Sequence, residues 1–179
     1  MQQVEYSLEK GLIGIIADTH VPTRATSLPP KLFDLFAEVD LILHAGDLEE
    51  ESVLTELEAL APVEAVAGNM DPLGLRRKLG LEKIIHFDEV SLGLIHGAGL
   101  PRGRLQPISQ RFVGWDLQGI VFGHSHIPFC GYYKGILFLN PGSPAEPRGG
   151  SRPTCALLRV KGPRLQAKIF DLEENSFNT

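Results

Sequence analysis

An α/β architecture, with two layers of β-sheet and helices outside them, is expected from three features of the chain. Short apolar runs recur along its length, each closed by turn residues. In the first half these runs alternate with segments whose apolar residues recur at three- and four-residue steps. The second half is mostly strand-like, with short connections. At 179 residues and 43% apolar composition, the chain has the material for one core.

Residues 12–17 form the first run and end at Asp18-Thr19-His20. Pro29-Pro30 then opens a helix carrying Leu32, Phe33, Leu35 and Phe36, proline being tolerated in a first helical turn. A second run, 41–43, ends at His44-Ala45-Gly46-Asp47. Residues 50–60 read as an amphipathic helix with Val53, Leu54, Leu57 and Leu60 on one stripe. The third run, 63–67, ends at Gly68-Asn69. This alternation predicts parallel strands joined by right-handed crossovers. Further strands are expected at 83–87, 90–95, 119–122, 132–139, 154–160 and 165–170, with Gly135 as a hairpin turn. The 104–113 segment reads as a helix, and 76–78 (Arg-Arg-Lys) as a solvated helix face. One domain is expected over 1–179, with its core at about 11–170 and a polar tail from Asp171.

Twenty-two acidic against 17 basic side chains give a formal charge of −5, which disfavours a long nucleic acid as partner. The two cysteines lack CxxC spacing and argue against both a disulfide scaffold and a thiolate metal site. The longest stretch free of Asp, Glu, Lys and Arg, 117–133, contains Gln118, His124, His126 and Pro128, so no membrane span is expected. With no export signal visible at the N-terminus, a cytoplasmic location is expected.

Metal-capable side chains fall in a pattern. Asp18, His20, Asp47, Asn69, His96, His124 and His126 each stand just after a strand candidate. In open α/β sheets the carboxyl ends of strands form the ligand-binding edge. Seven oxygen and nitrogen donors at one edge would make a polynuclear metal site. Without thiolate, the donor set suits Mn²⁺, Fe, Co²⁺, Ni²⁺ or Zn²⁺ rather than Ca²⁺. Each piece taken singly has a plainer explanation: Gly68-Asn69 is turn chemistry, and His96 beside Gly97 reads as an ordinary hydrogen-bonded histidine. Gly123-His124-Ser125-His126 is harder to explain by packing, and the order of all five pieces together carries the metal reading.

The order Asp-x-His, Gly-Asp, Gly-Asn, His-Gly, Gly-His-Ser-His resembles the calcineurin-like metallophosphoesterase superfamily. The short length and Asn140-Pro141-Gly142-Ser143 are similar to its small prokaryotic phosphodiesterase branch. The resemblance runs over about 11–170 and implies an αββα sandwich with a di-metal centre. It implies Asp18, His20 and His126 on one metal, Asn69, His96 and His124 on the other, and Asp47 bridging them. Asp47, Asn69 and His96 are the implied catalytic residues. Two divalent ions are implied, with manganese favoured because the resembling branch commonly uses it, and Ni²⁺, Fe or Zn²⁺ also suited. The implied activity is hydrolysis of a small phosphodiester by a hydroxide bridging the metals, since two such cations can generate a nucleophile and neutralise charge on attacking and leaving oxygens. A homodimer is common among similar proteins.

One position departs from the pattern. Where many members carry a histidine after Gly-Asn, this chain has Met70, whose thioether cannot donate a proton to a leaving group. Arg148, Arg24 and Arg102 are candidate phosphate contacts, with solvated surface as the plain alternative. His44 could orient a ligand from behind, and Asp71 could hydrogen-bond near the site or simply form an Asp-Pro turn. His86, after two isoleucines, reads as structural. Two other functions remain open on the same fold: a non-catalytic protein-interaction scaffold, or a phosphomonoesterase or nuclease.

Overall fold

The computed structural model describes residues 1–87, 89–101 and 103–173. The first half runs β1 (Gln2–Tyr6), β2 (Leu12–Ile16), α1 (Pro30–Phe36), β3 (Leu41–His44), α2 (Ser52–Glu58), β4 (Val63–Ala65), α3 (Leu73–Leu79) and β5 (Glu82–Phe87). The second runs β6 (Val90–Ile95), α4 (Leu105–Gln110), β7 (Gly119–Phe122), β8 (Phe129–Tyr133), β9 (Ile136–Asn140), β10 (Thr154–Lys161) and β11 (Arg164–Asp171). The segment expected over 132–139, with its hairpin turn at Gly135, is the pair β8 and β9, which meet antiparallel around Lys134-Gly135, both at positive φ.

Two mixed sheets face each other. One has the order β11-β10-β2-β3-β4, the other β1-β5-β6-β7-β9-β8. Strands β2, β3 and β4 are parallel, as are β6, β7 and β9, so all their carboxyl ends lie along one edge. Alternation along each strand sends side chains to two different layers. In β2, Ile13 and Ile15 enter the layer between the sheets, while Ile16 turns outward to the helices. Leu32 and Phe36 of α1, Val53, Leu54 and Leu57 of α2, and Leu75 and Leu79 of α3 cover the outer face of the five-stranded sheet. Ile108 of α4 and Phe112 cover the other sheet, against Ile84, Ile120 and Phe138. The architecture is therefore helix, sheet, sheet, helix.

Residues ahead of 11 also join the fold. Strand β1 lies parallel to β5, and its Val4 and Tyr6 pack against the layer between the sheets. The Tyr6 hydroxyl donates to Glu64 Oε1 at 2.8 Å, and Lys83 Nζ to Glu64 Oε2 at 2.6 Å. Glu64 sits on β4, so this cluster ties the edge of one sheet to the edge of the other. No helix among the described residues is long and apolar enough to cross a membrane.

Gly14, in the middle of β2, makes room for α1. A Cβ there would stand 2.9 Å from the Phe36 ring, which is fully buried. Gly14→Ala should lower the free energy of unfolding by about 1–3 kcal/mol, the usual cost of forcing one carbon into a close-packed layer. The check is a lower urea midpoint at an unchanged m-value.

Candidate metal centre

Every donor stands in a loop leaving a parallel strand. Asp18 and His20 follow β2, Asp47 follows β3, Asn69 follows β4, His96 follows β6, and His124 and His126 follow β7. Asp18, His20, Asp47, His124 and His126 have φ between 46° and 70°, a left-handed region that non-glycine residues rarely occupy. Held there by the surrounding fold, they turn their side chains back over the strand ends, and strain of this kind concentrates at functional sites. The glycines permit close approach between loops. A Cβ on Gly68 would collide with the Asp47 carboxylate, and one on Gly46 with His96.

Two groups result, Asp18 with His20 and His126, and Asp47 with His96 and His124. In each, one ligand atom per residue lies within 4.8 Å of the others. Asp47 faces both: its Oδ2 is 3.1 Å from His96 Nε2 and 3.7 Å from His20 Nε2. Asn69 lies at the exposed rim of this edge, lining a cleft with His96.

These residues fit cations. Three imidazoles are pinned from behind through Nδ1: His96 to the Ala45 carbonyl at 2.8 Å, His126 to the Glu146 carbonyl at 2.6 Å, and His20 to Glu49 Oε1 at 2.6 Å. A proton on each Nδ1 leaves the Nε2 lone pairs aimed inward. His20 Nε2 and His126 Nε2 then face each other at 3.2 Å, and His126 Nε2 is 3.5 Å from Asp18 Oδ1. Lone pairs so close to one another and to carboxylates repel unless positive charge lies among them. His96 Nε2 is also the single buried side-chain nitrogen or oxygen that makes no hydrogen bond of good geometry among the described residues, although Asp47 Oδ2 lies 3.1 Å away.

Electrostatics point the same way. Burial lifts the Asp18 carboxyl to about 7; His96 and the His124 N–H oppose the shift, and neighbouring Asp47 adds to it. Asp47 is also penalised by burial, but the adjacent His96, the Met70 N–H and His20 outweigh that and hold it below the usual carboxylate range. Burial brings His126 down to about 4, which keeps it neutral and able to ligate.

Residues 12–162 match the calcineurin-like phosphoesterase superfamily domain. The chain belongs to that superfamily. A probable metallophosphoesterase of Methanothermobacter thermautotrophicus is 44% identical over 165 residues, covering 89% of this chain and 91% of the relative. Among solved structures, Vps29 of Chaetomium thermophilum superposes with a TM-score of 0.81 at 24% identity, covering 94% of this chain and 90% of its own. Wild-type Vps29 of Entamoeba histolytica complexed with Zn²⁺ superposes with a TM-score of 0.74 at 23% identity, covering 90% and 99%. These two structures share the fold. The superfamily's fold implies divalent metal ions, and the two Asp/His groups are its candidate sites here.

Support for this superfamily site comes from residues behind the donors. The buried Asp71 carboxylate accepts four backbone N–H groups: Asp47 at 3.1 Å, Leu48 at 2.8 Å, Glu49 at 2.7 Å and Gly68 at 2.7 Å. Of the two readings open for Asp71, hydrogen bonding beside the site is the one observed. His44 is fully buried, takes the Gly46 N–H on Nδ1 at 3.2 Å and meets Thr19 Oγ1 through Nε2 at 3.1 Å. Asn140 Nδ2 donates to the Gly123 carbonyl at 3.0 Å, and Ser143 Oγ to the Asp18 carbonyl at 2.7 Å. His86 lies away from the site, in β5, bonded to Ser91 and Gln3.

Two of the expected phosphate contacts converge on one carboxylate. Arg148 Nη2 donates to Glu146 Oε2 at 2.8 Å, and Arg24 Nε lies 3.5 Å from Glu146 Oε1. Glu146 is the residue whose carbonyl holds His126, so this rim adjoins the Asp18 group. Arg102 lies outside the described residues. Glu49 and Glu146 carry no motif in the sequence, where the one signal is a carboxylate two residues after Asp47, while Ser143 stands out only as part of the Asn140–Ser143 segment.

Asp71→Asn keeps one acceptor and turns an amide N–H₂ toward backbone donors. It should destabilise the protein by about 1.5–3 kcal/mol and weaken metal binding at least about tenfold, read by urea unfolding and by calorimetric titration with Mn²⁺. His44 gives a pH test. Burial takes its pKa from 6.5 to about 3 in the fold, so the unfolded chain alone gains this proton between those values. Stability from neutral His44 is full above pH 6.5 and is lost as pH falls toward 3. Relative to His44→Gln, the wild type should lose up to about 1.4 kcal/mol per pH unit across that window, measured by urea unfolding at each pH.

Proposed function

We propose that this chain is a metal-dependent phosphodiesterase acting on a small phosphodiester at a di-metal centre. The observation that carries the reading is the convergence of two Asp/His groups on Asp47, with inward Nε2 atoms held by outward Nδ1 hydrogen bonds. Asp18, His20 and His126 would hold one ion, Asn69, His96 and His124 the other, and Asp47 both. Two divalent cations held so close supply Lewis acidity and an activated water, the work otherwise asked of a protein nucleophile. The favoured metal is manganese. Zn²⁺ in a structure of the same fold supports a divalent ion, and an N/O donor set also suits Ni²⁺ or Fe.

The chain's own residues do two things in this reading. The carboxylates of Asp18 and Asp47 and the imidazoles set the position of the phosphoryl group. Arg148 and Arg24, with N–H groups left over from Glu146, contact its free oxygens. No side chain at position 70 donates a proton, since Met70 is half exposed and contributes only its backbone N–H, 2.8 Å from Asp47 Oδ1. A diester with a good leaving group is thus the best-matched substrate. A non-catalytic interaction module on the same fold is the competing reading, and the full set of Asp and His donors speaks for the enzyme.

Chelation should abolish hydrolysis of bis(4-nitrophenyl) phosphate, and Mn²⁺ should restore it; no activity with Mn²⁺, Ni²⁺ or Zn²⁺ would favour the module. Asp47→Asn should lower metal content and activity together, and an active, metal-replete variant would remove its bridging role. Catalytic efficiency should fall at least about a hundredfold from a nitrophenyl to an alkyl leaving group, the scale of missing general-acid help. Equal efficiencies would reveal a proton donor elsewhere.

A further inference from the structure

The two sides of the centre differ. Beyond the Asp18 group lies the Arg24–Glu146–Arg148 rim, whose guanidiniums share one carboxylate. Beyond the Asp47 group lies a cleft of about 200 Å³ that begins at Gly68, Asn69 and His96. Leu81, Ile95 and Leu100 give it an apolar part, and Arg76 of α3 and Arg111 also line it. Arg111 is paired with Glu82, which also lines the cleft. The Arg76 guanidinium has no carboxylate partner among the described residues, so the cleft keeps a net positive end.

We infer that this cleft is the subsite for one organic group of the substrate, and that this group is compact, apolar in its middle and anionic at its end. The inference rests on the phosphodiesterase reading and narrows its substrate class. A phosphoryl group at the centre would direct an ester substituent past His96 and Asn69, along Ile95 and Leu100, toward Arg76. The available volume suits a chain of a few carbons or a single ring, not a polymer. A terminal carboxylate or phosphate would meet Arg76 as a charge-assisted partner. A neutral end would leave that guanidinium with water alone.

The test is calorimetric and needs no turnover. Propylphosphonate, 2-carboxyethylphosphonate and ethane-1,2-diphosphonate are titrated into Mn²⁺-loaded protein at low ionic strength. At least one of the anion-ended ligands should bind up to about fivefold tighter than propylphosphonate, the scale of one solvent-exposed ion pair, and the better of the two identifies the anion. Added salt should reduce the preference. In Arg76→Gln the three affinities should fall within about twofold of one another, with propylphosphonate binding as it does in the wild type. A preference that persists in Arg76→Gln would place the second anion on the metals and overturn the cleft assignment. Equal affinities in the wild type, with hydrolysis intact, would overturn it too and leave the phosphodiesterase reading standing. If no phosphonate binds and no diester is hydrolysed, both fail together.

Discussion

The centre depends on one buried anion. Asp71 accepts N–H groups from Asp47, Leu48, Glu49 and Gly68, which belong to the loops after β3 and β4. Those loops carry Asp47, the carboxylate between the two donor groups, and Glu49, the partner of His20. Three successive amides point at one carboxylate from a turn in which Asp47 and Glu49 adopt positive φ. The same turn aims the Asp47 side chain at His20 and His96. Charge-assisted bonds to backbone are among the stronger hydrogen bonds in proteins, and here four of them oppose the strain of the left-handed residues.

The histidines are fixed by the same strategy from the other side. Each pinned ring spends Nδ1 on an acceptor that belongs to a different loop: Glu49 for His20, the Ala45 carbonyl for His96, the Glu146 carbonyl for His126. This arrangement fixes tautomer and ring orientation before any ligand arrives. The cost is electrostatic. Asp18 is lifted to about 7 by burial and His96 Nε2 makes no hydrogen bond among the described residues, so the donors by themselves are poorly satisfied. Cations would relieve both defects.

What could be read from the sequence is what depends on chain order. Strand runs ending in Asp, Asn or His place donors at strand ends, and parallel pairing gathers those ends on one edge. The αββα layering followed from the same alternation, with boundaries off by a few residues: 50–60 for Ser52–Glu58, and 104–113 for Leu105–Gln110. The strand Gln2–Tyr6 was not legible, because its side chains are mostly polar and its reward comes from Glu64 and the edge of β5. Asp71 was ambiguous for a physical reason. Asp-Pro is ordinary turn chemistry, and its distinguishing feature is the direction of three amides from the loop after β3, joined by Gly68 of its own loop. Arg24 and Arg148 could be proposed one at a time, but their meeting on Glu146 depends on loop paths that no periodicity encodes.

Each donor group draws on both sheets. Asp18 and His20 leave β2 of the five-stranded sheet, while His126 follows β7 of the other. Asp47 leaves β3, while His96 and His124 follow β6 and β7. The geometry of either group is therefore set by how the sheets sit on the layer built from Ile13, Ile15, Leu41, Leu43, Leu92 and Val121. That layer is apolar and close-packed, so the sheets have little freedom to slide. A metal bound to either group would cross-link the two sheets at their carboxyl edge, and its binding free energy would add directly to the stability of the sandwich. In the other direction, loosening the layer far from the donors would spread them and weaken the metal. Packing, donor geometry and metal affinity are in this way a single coupled equilibrium.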